Sequence, residues 1–290
     1  MSRLWLPLAA LLSLGALASA QTIEKDIPYG PGPSQKFDLY LPNSVKGFAT
    51  VVFVHGGSLA TGDKDDDDYR KVGLPFADAG IACASVNYRL LDTNRWPAPA
   101  EDVASAVSWV VKNIASRGGD PRKIYLFGHS SGAMLAALVG SDAKYLKSVG
   151  LALADIRGVI PAGSIMWDKV IEEAIASNGR DRVRERFRVH SDYRAYDSLE
   201  QYEDMWAFRH IHAGLPRFLF LIAEAEQVNP PVLETDSAFV DAARKLGNEA
   251  EYRVLAGETH YGLIRGLDKK GSAAFDIIVR FVKGHLRSRP

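Results

Sequence analysis

From Ile23 onward, short apolar runs alternate with longer stretches whose apolar residues recur every three or four positions. Residues 36–41 alternate apolar and polar and stop at Pro42, which predicts an edge strand. Residues 50–54 are almost continuously apolar, as expected for a strand buried on both faces of a parallel sheet. Further strands are predicted at 81–86, 123–127, 157–160, 217–223 and 251–255. Helical spacing covers 69–79, closed by Gly80, and 99–116, where Val103, Ala106, Val107, Val110 and Val111 share a face. Residues 131–139 form a small-residue helix, and two more helices are predicted near 233–246 and 273–286. Repeated strand–helix alternation predicts an α/β fold in one domain, with a parallel sheet covered on both faces.

Two stretches break this rhythm. Residues 164–215 are rich in Arg, Asp, Glu and aromatics such as Trp167, Phe187, Tyr202 and Trp206. So long a connection predicts a partly helical, cap-like excursion over one end of the sheet, serving the substrate or merely decorating the fold. Residues 1–20 carry one charge, Arg3, then an apolar run to Leu17 and the small-x-small sequence Ala18-Ser19-Ala20. That pattern predicts a signal peptide cleaved after Ala20 and a secreted or periplasmic protein spanning 21–290.

Composition narrows the function classes. Basic and acidic residues number 35 each in the 290-residue chain, and without Arg3 the balance is 34 to 35. Nothing in that balance draws the protein to nucleic acid or an anionic membrane. Cys83 is the single cysteine, so an intramolecular disulfide and a cysteine-rich zinc site are excluded. It lies in an apolar run and reads as core.

The chemistry concentrates in a few turns. Gly128-His129-Ser130-Ser131-Gly132 falls between a predicted strand and a small-residue helix. A serine there is thrust out at the carboxyl end of the sheet while the glycines let backbones pass closely. Ser130 is the candidate nucleophile, and Ser131 offers its N–H to a reacting carbonyl oxygen. A nucleophilic serine also needs an anion hole and a base. Gly56 and Gly57, after His55 at the end of residues 50–54, offer further N–H groups. Among seven histidines, His55 and His129 belong to turns, His190, His210 and His212 precede the last strands, and His285 lies in the terminal helix. His260 alone follows the last strand in a loop, and is the candidate base. For the acid, the strand at 217–223 delivers Glu224 and Glu226, with Asp236 beyond. Glu226 is preferred, then Glu224, then Asp236.

The set of motifs resembles the α/β-hydrolase superfamily. It is most similar to the esterase branch of carboxylesterases, hormone-sensitive-lipase-like enzymes, feruloyl or acetyl-xylan esterase-like proteins and kynurenine formamidases. The matching stretches are HGGSLATGDK at 55–64, VNYRL at 86–90, PAPAEDVASAVSWV at 97–110, GGDPRKIYLFGHSSG at 118–132 and GETHYGL at 257–263. The resemblance implies an eight-stranded, mostly parallel sheet and hydrolysis through an acyl-enzyme, with no metal or cofactor. Carried over, it makes Ser130 the nucleophile, His260 the base and Gly56, Gly57 and Ser131 the oxyanion donors. Glu226 stands where such enzymes more often show Asp, and Ser58 and Leu59 where relatives often show Gly or Trp. The expected substrate is an ester, free or polymer-attached. Amide or formamide cleavage and polysaccharide deacetylation are alternatives on the same residues, and a catalytically silent binding protein is a remote one.

Other clusters read as structural. Asp63 and Asp65–Asp68 form a solvated turn, and Arg89 with Asp102 a buried contact beneath the site. His210 and His212 would share a strand face.

Overall fold

The computed structural model describes residues 21–43, 45–189, 193–227, 232–269 and 271–284. The expected leader with its cleavage after Ala20, His190 and His285 lie outside these residues. Eight strands form one sheet in the order β1-β2-β4-β3-β5-β6-β7-β8. They are β1 (Thr22–Pro28), β2 (Lys36–Leu41), β3 (Phe48–Val54), β4 (Ala82–Val86), β5 (Gly119–His129), β6 (Ile156–Ala162), β7 (Arg217–Ala223) and β8 (Ala250–Leu255). The β1–β2 and β2–β4 pairs are antiparallel, and all pairs from β4 across to β8 are parallel.

Strand periodicity divides the core into two layers. Val52 and Val54 of β3, Leu126 of β5 and Phe220 of β7 face one layer. Their neighbours Val51, Phe53, Phe127 and Leu221 face the other. Helices α1 (Gly73–Asp78), α2 (Ala98–Asn113), α3 (Ser131–Val139) and α4 (Ala143–Ser148) connect the earlier strands. The first layer is closed by α2, α3, α4 and, later, α8 (Val232–Lys245). The second is closed by α1 together with α9 (Gly262–Arg265) and α10 (Ala273–Val282).

The strand at 36–41 is not an edge. It pairs with β4 on one side and β1 on the other, and all its residues after Lys36 are buried. The true edge is β1, which is mostly exposed. The helix at 69–79 is also shorter than expected, because residues 66–72 wind as successive turns before α1. Residues 164–215 contain α5 (Lys169–Asn178), α6 (Arg180–Val189) and α7 (Leu199–Asp204). No helix among the described residues is long and apolar enough to cross a membrane.

Candidate active site

The turn between β5 and α3 carries Ser130 at φ 54°, ψ −127°, a conformation that costs a non-glycine residue on the order of 1–3 kcal/mol. Tight packing imposes it. A Cβ on Gly128 would lie 2.1 Å from the Gly132 carbonyl oxygen, and one on Gly132 would lie 2.2 Å from that of Val54. Both positions therefore exclude any larger residue. The Ser130 N–H donates to Ala162 O at 2.9 Å, tying the turn to the end of β6.

The loop after β3 closes against this turn. A Cβ on Gly56 would come within 2.8 Å of the Ser130 Cβ. Gly57 has φ +119°, and a Cβ there would meet the Thr61 carbonyl oxygen at 2.1 Å. Ser58 and Leu59 follow at φ 55° and 62°, the left-handed region that glycine would occupy without strain. Leu59 N–H donates to Ser131 Oγ at 3.2 Å, which holds the loop to the first turn of α3. His55 shapes the loop, with Nδ1 2.7 Å from Gly56 O and its own carbonyl accepting from Tyr88 Oη at 2.9 Å. The Gly56 N–H lies beside the Tyr69 hydroxyl, whereas Gly57 and Ser131 belong to the two facing turns.

Across the sheet, a 3-10 turn from Glu224 to Glu226 ends β7, and His260 stands in the loop after β8. His260 Nδ1 is 2.5 Å from Glu226 Oε1, and Glu226 Oε2 accepts from Ala223 N–H at 2.9 Å. Glu226 is buried. Glu224 points elsewhere and accepts from Gly257 N–H at 2.8 Å. Asp236 is buried on α8, where loss of solvation pushes its carboxyl well above the usual carboxylate range. The structure thus gathers Ser130, Ser131, Gly56, Gly57, Glu226 and His260 at the carboxyl ends of β3, β5, β7 and β8.

Three residues to which sequence spacing assigns no chemistry also belong here. Gly163, just past β6 at φ +65°, leaves the room that the Glu226–His260 pair occupies. The His129 ring packs 4.6 Å from that of His260, and Tyr69 is bonded to His129 at 3.1 Å. No spacing rule reveals contacts made across such separations.

The remaining clusters resolve into contacts. The acidic turn at 63–68 is more than a solvated surface. It surrounds the buried Lys64, whose ammonium meets Asp38 at 3.1 Å, Asp26 at 3.2 Å and Asp65 at 2.5 Å. Asp102 receives the Arg89 guanidinium, the Arg89 N–H and the Gln35 amide, a buried contact as expected. His210 and His212 share no strand; His210 ends a 3-10 turn and His212 lies in the loop after it. His210 stands near Asp142 and Asp204, and the Lys144 ammonium is already bonded to both carboxylates. Trp167, Trp206 and Phe208 of the excursion line a cavity of about 610 Å³ whose walls include neither Ser130 nor His260.

The strand order, the strained serine turn and the facing glycine loop define an α/β-hydrolase-fold protein. Residues 37–157 match the BD-FAE family. Over 273 residues the chain is 25% identical to the isoprenylcysteine alpha-carbonyl methylesterase ICME of Arabidopsis thaliana, covering 84% of this chain and 58% of that protein. It is 28% identical over 231 residues to the probable carboxylic ester hydrolase LipM of Mycobacterium tuberculosis, covering 77% of this chain and 52% of that protein. The chain therefore spans less than two thirds of the length of these relatives. Among solved structures, a truncated carbohydrate esterase from gut microbiota superposes with a TM-score of 0.70 at 20% identity, covering 91% of this chain and 96% of the other. That likeness is one of fold. The chain thus has the α/β-hydrolase fold and is similar in sequence to carboxylic ester hydrolases.

Proposed function

We propose that the protein is a serine hydrolase that cleaves carboxylic esters through an acyl-enzyme on Ser130. The observation that carries this reading is the 2.5 Å contact between His260 Nδ1 and the buried Glu226 carboxylate, at the sheet end that presents Ser130. A carboxylate there keeps the hydrogen on Nδ1 and leaves Nε2 as the base. His260 Nε2 takes the Ser130 hydroxyl proton as the oxygen attacks the ester carbonyl. The carbonyl π pair moves to oxygen, where the Gly57 and Ser131 N–H groups meet the developing charge. Gly56 lets the loop approach this closely. Collapse of the intermediate breaks the bond to the alcohol oxygen, which takes the proton from His260. Water, deprotonated by His260, then releases the acid and restores Ser130. No step calls for a metal or cofactor.

Export after cleavage following Ala20 belongs to the same proposal, supported by the leader pattern of residues 1–20. Purified protein should hydrolyse p-nitrophenyl acetate and be labelled by a fluorophosphonate. If Ser130→Ala retains either property, the assignment fails. A mature amino terminus at Gln21 would support export, and recovery of the intact chain in the cytoplasm would sink it.

A further inference from the structure

His129 immediately precedes Ser130, is fully buried and has both ring nitrogens engaged. Nε2 lies 2.9 Å from the main-chain carbonyl oxygen of His260, and Nδ1 lies 3.1 Å from Tyr69 Oη. A carbonyl oxygen can only accept, so the hydrogen resides on Nε2. Nδ1 then presents a lone pair, and the Tyr69 hydroxyl donates to it. Burial favours both assignments, holding the Tyr69 hydroxyl protonated by raising it to about 12 and lowering His129 to about 4.

The rings of His260 and Tyr261 stand 4.6 Å and 5.8 Å from that of His129. Two carboxylates act on it from further away, Glu226 held by His260 and Asp68 held by Arg265. The Glu226 contact fixes how the His260 ring is turned. It does not fix where the His260 backbone sits relative to Ser130. His129 is covalently next to Ser130 and hydrogen-bonded to the His260 main chain, so it sets that distance directly and not by way of the sheet.

We propose that His129, locked in one tautomer by Tyr69, is a positioning residue that holds the His260 loop at the height its imidazole needs above Ser130. This rests on the reading of Ser130 and His260 as nucleophile and base. A displacement of about 1 Å between reacting groups can cost on the order of 100-fold in rate.

The test compares His129→Gln, whose amide nitrogen falls near the Nε2 position, with His129→Asn, whose nitrogen does not reach it, and with His129→Phe. Steady-state hydrolysis of p-nitrophenyl acetate and hydrogen exchange of the backbone amides of residues 257–262 are measured on each variant, with Ser130→Ala as a control. Phe and Asn should lower kcat roughly 10- to 100-fold with KM within about twofold, and exchange should quicken in 257–262. Gln should restore most of kcat and slow the exchange again. Tyr69→Phe should fall between Gln and Asn. Equal kcat and equal exchange in Gln and Asn overturn the proposal, and that comparison stands even where Phe does not fold. Activity persisting in Ser130→Ala would overturn the nucleophile assignment instead, while the exchange measurement still decides the anchoring.

Discussion

A Cβ on Gly163 would lie 3.1 Å from His260 Nδ1, and 2.9 Å from the Glu226 oxygen that the histidine contacts. Gly163 sits at φ +65°, and its N–H donates to Leu221 O at 2.9 Å, so its backbone is fixed. Gly163→Ala must therefore strain the chain and press on the Glu226–His260 pair together. We expect a stability loss of about 1–2 kcal/mol and a fall in kcat of at least roughly tenfold. Gly150→Ala is the matched control, since φ is +80° there and no atom lies within 4 Å of the added carbon. It should show a similar stability loss in urea titration with full activity. Equal activity of the two variants would show that the space beside the pair is not critical.

The choice among acids is open to direct trial. Glu226→Gln keeps the shape and removes the charge beside His260, and should lower kcat on the order of 100- to 10,000-fold. Glu224→Gln should stay within a few-fold, because the Glu224 carboxylate turns to the Gly257 N–H. Asp236→Asn should also be mild, since burial already favours the neutral carboxyl there. A loss in Asp236→Asn as deep as that in Glu226→Gln would reassign the acid.

Acid should weaken the fold through its buried histidines. Burial lowers both His129, to about 4, and His55 below its ordinary value. The unfolded chain takes up these protons below about pH 6.5 and the folded chain does not, so stability declines as pH falls from there toward 4. His129 alone accounts for about 3 kcal/mol over that window. Between pH 7 and pH 4 the urea midpoint of the natural protein should fall relative to that of His129→Gln. Parallel slopes would remove His129 as a source.

Cys83 lies on β4 with no exposed surface, and burial pushes its thiol up, away from the reactive thiolate. A chromogenic disulfide reagent should leave it untouched in the native protein and titrate one thiol after unfolding. Stoichiometric reaction without unfolding would contradict its burial.

The parts of the fold that could be read from the sequence are those whose residues answer to local rules. The apolar runs of β3 to β7 divide between two core layers, and so stand out whatever surrounds them. By contrast, β1 is largely exposed and has no apolar face to betray it, and β2 consequently reads as an edge. The same division runs through the site. Ser130 is legible because Gly128 and Gly132 bracket a turn of known use. What separates Glu226 from Glu224 is geometry, not spacing. Two residues along a 3-10 turn rotate a side chain by roughly 240°, sending one carboxylate to His260 and the other to Gly257. His129 and Tyr69 meet only because the sheet sets the end of β5 beside the turns that lead from β3 into α1.

Most of the excursion's inner residues, including Met166, Met205, Trp206 and Ala207, join the first of the two main core layers. Ile171, Val183, Phe187 and Leu199 instead form a small cluster of their own. Burial of so few side chains gives α5 and α6 much less cooperative protection than the sheet enjoys. We therefore expect this pair of helices to open separately, with amide exchange at 169–189 faster than in β5, β7 and β8, which carry the Ser130, Glu226 and His260 loops.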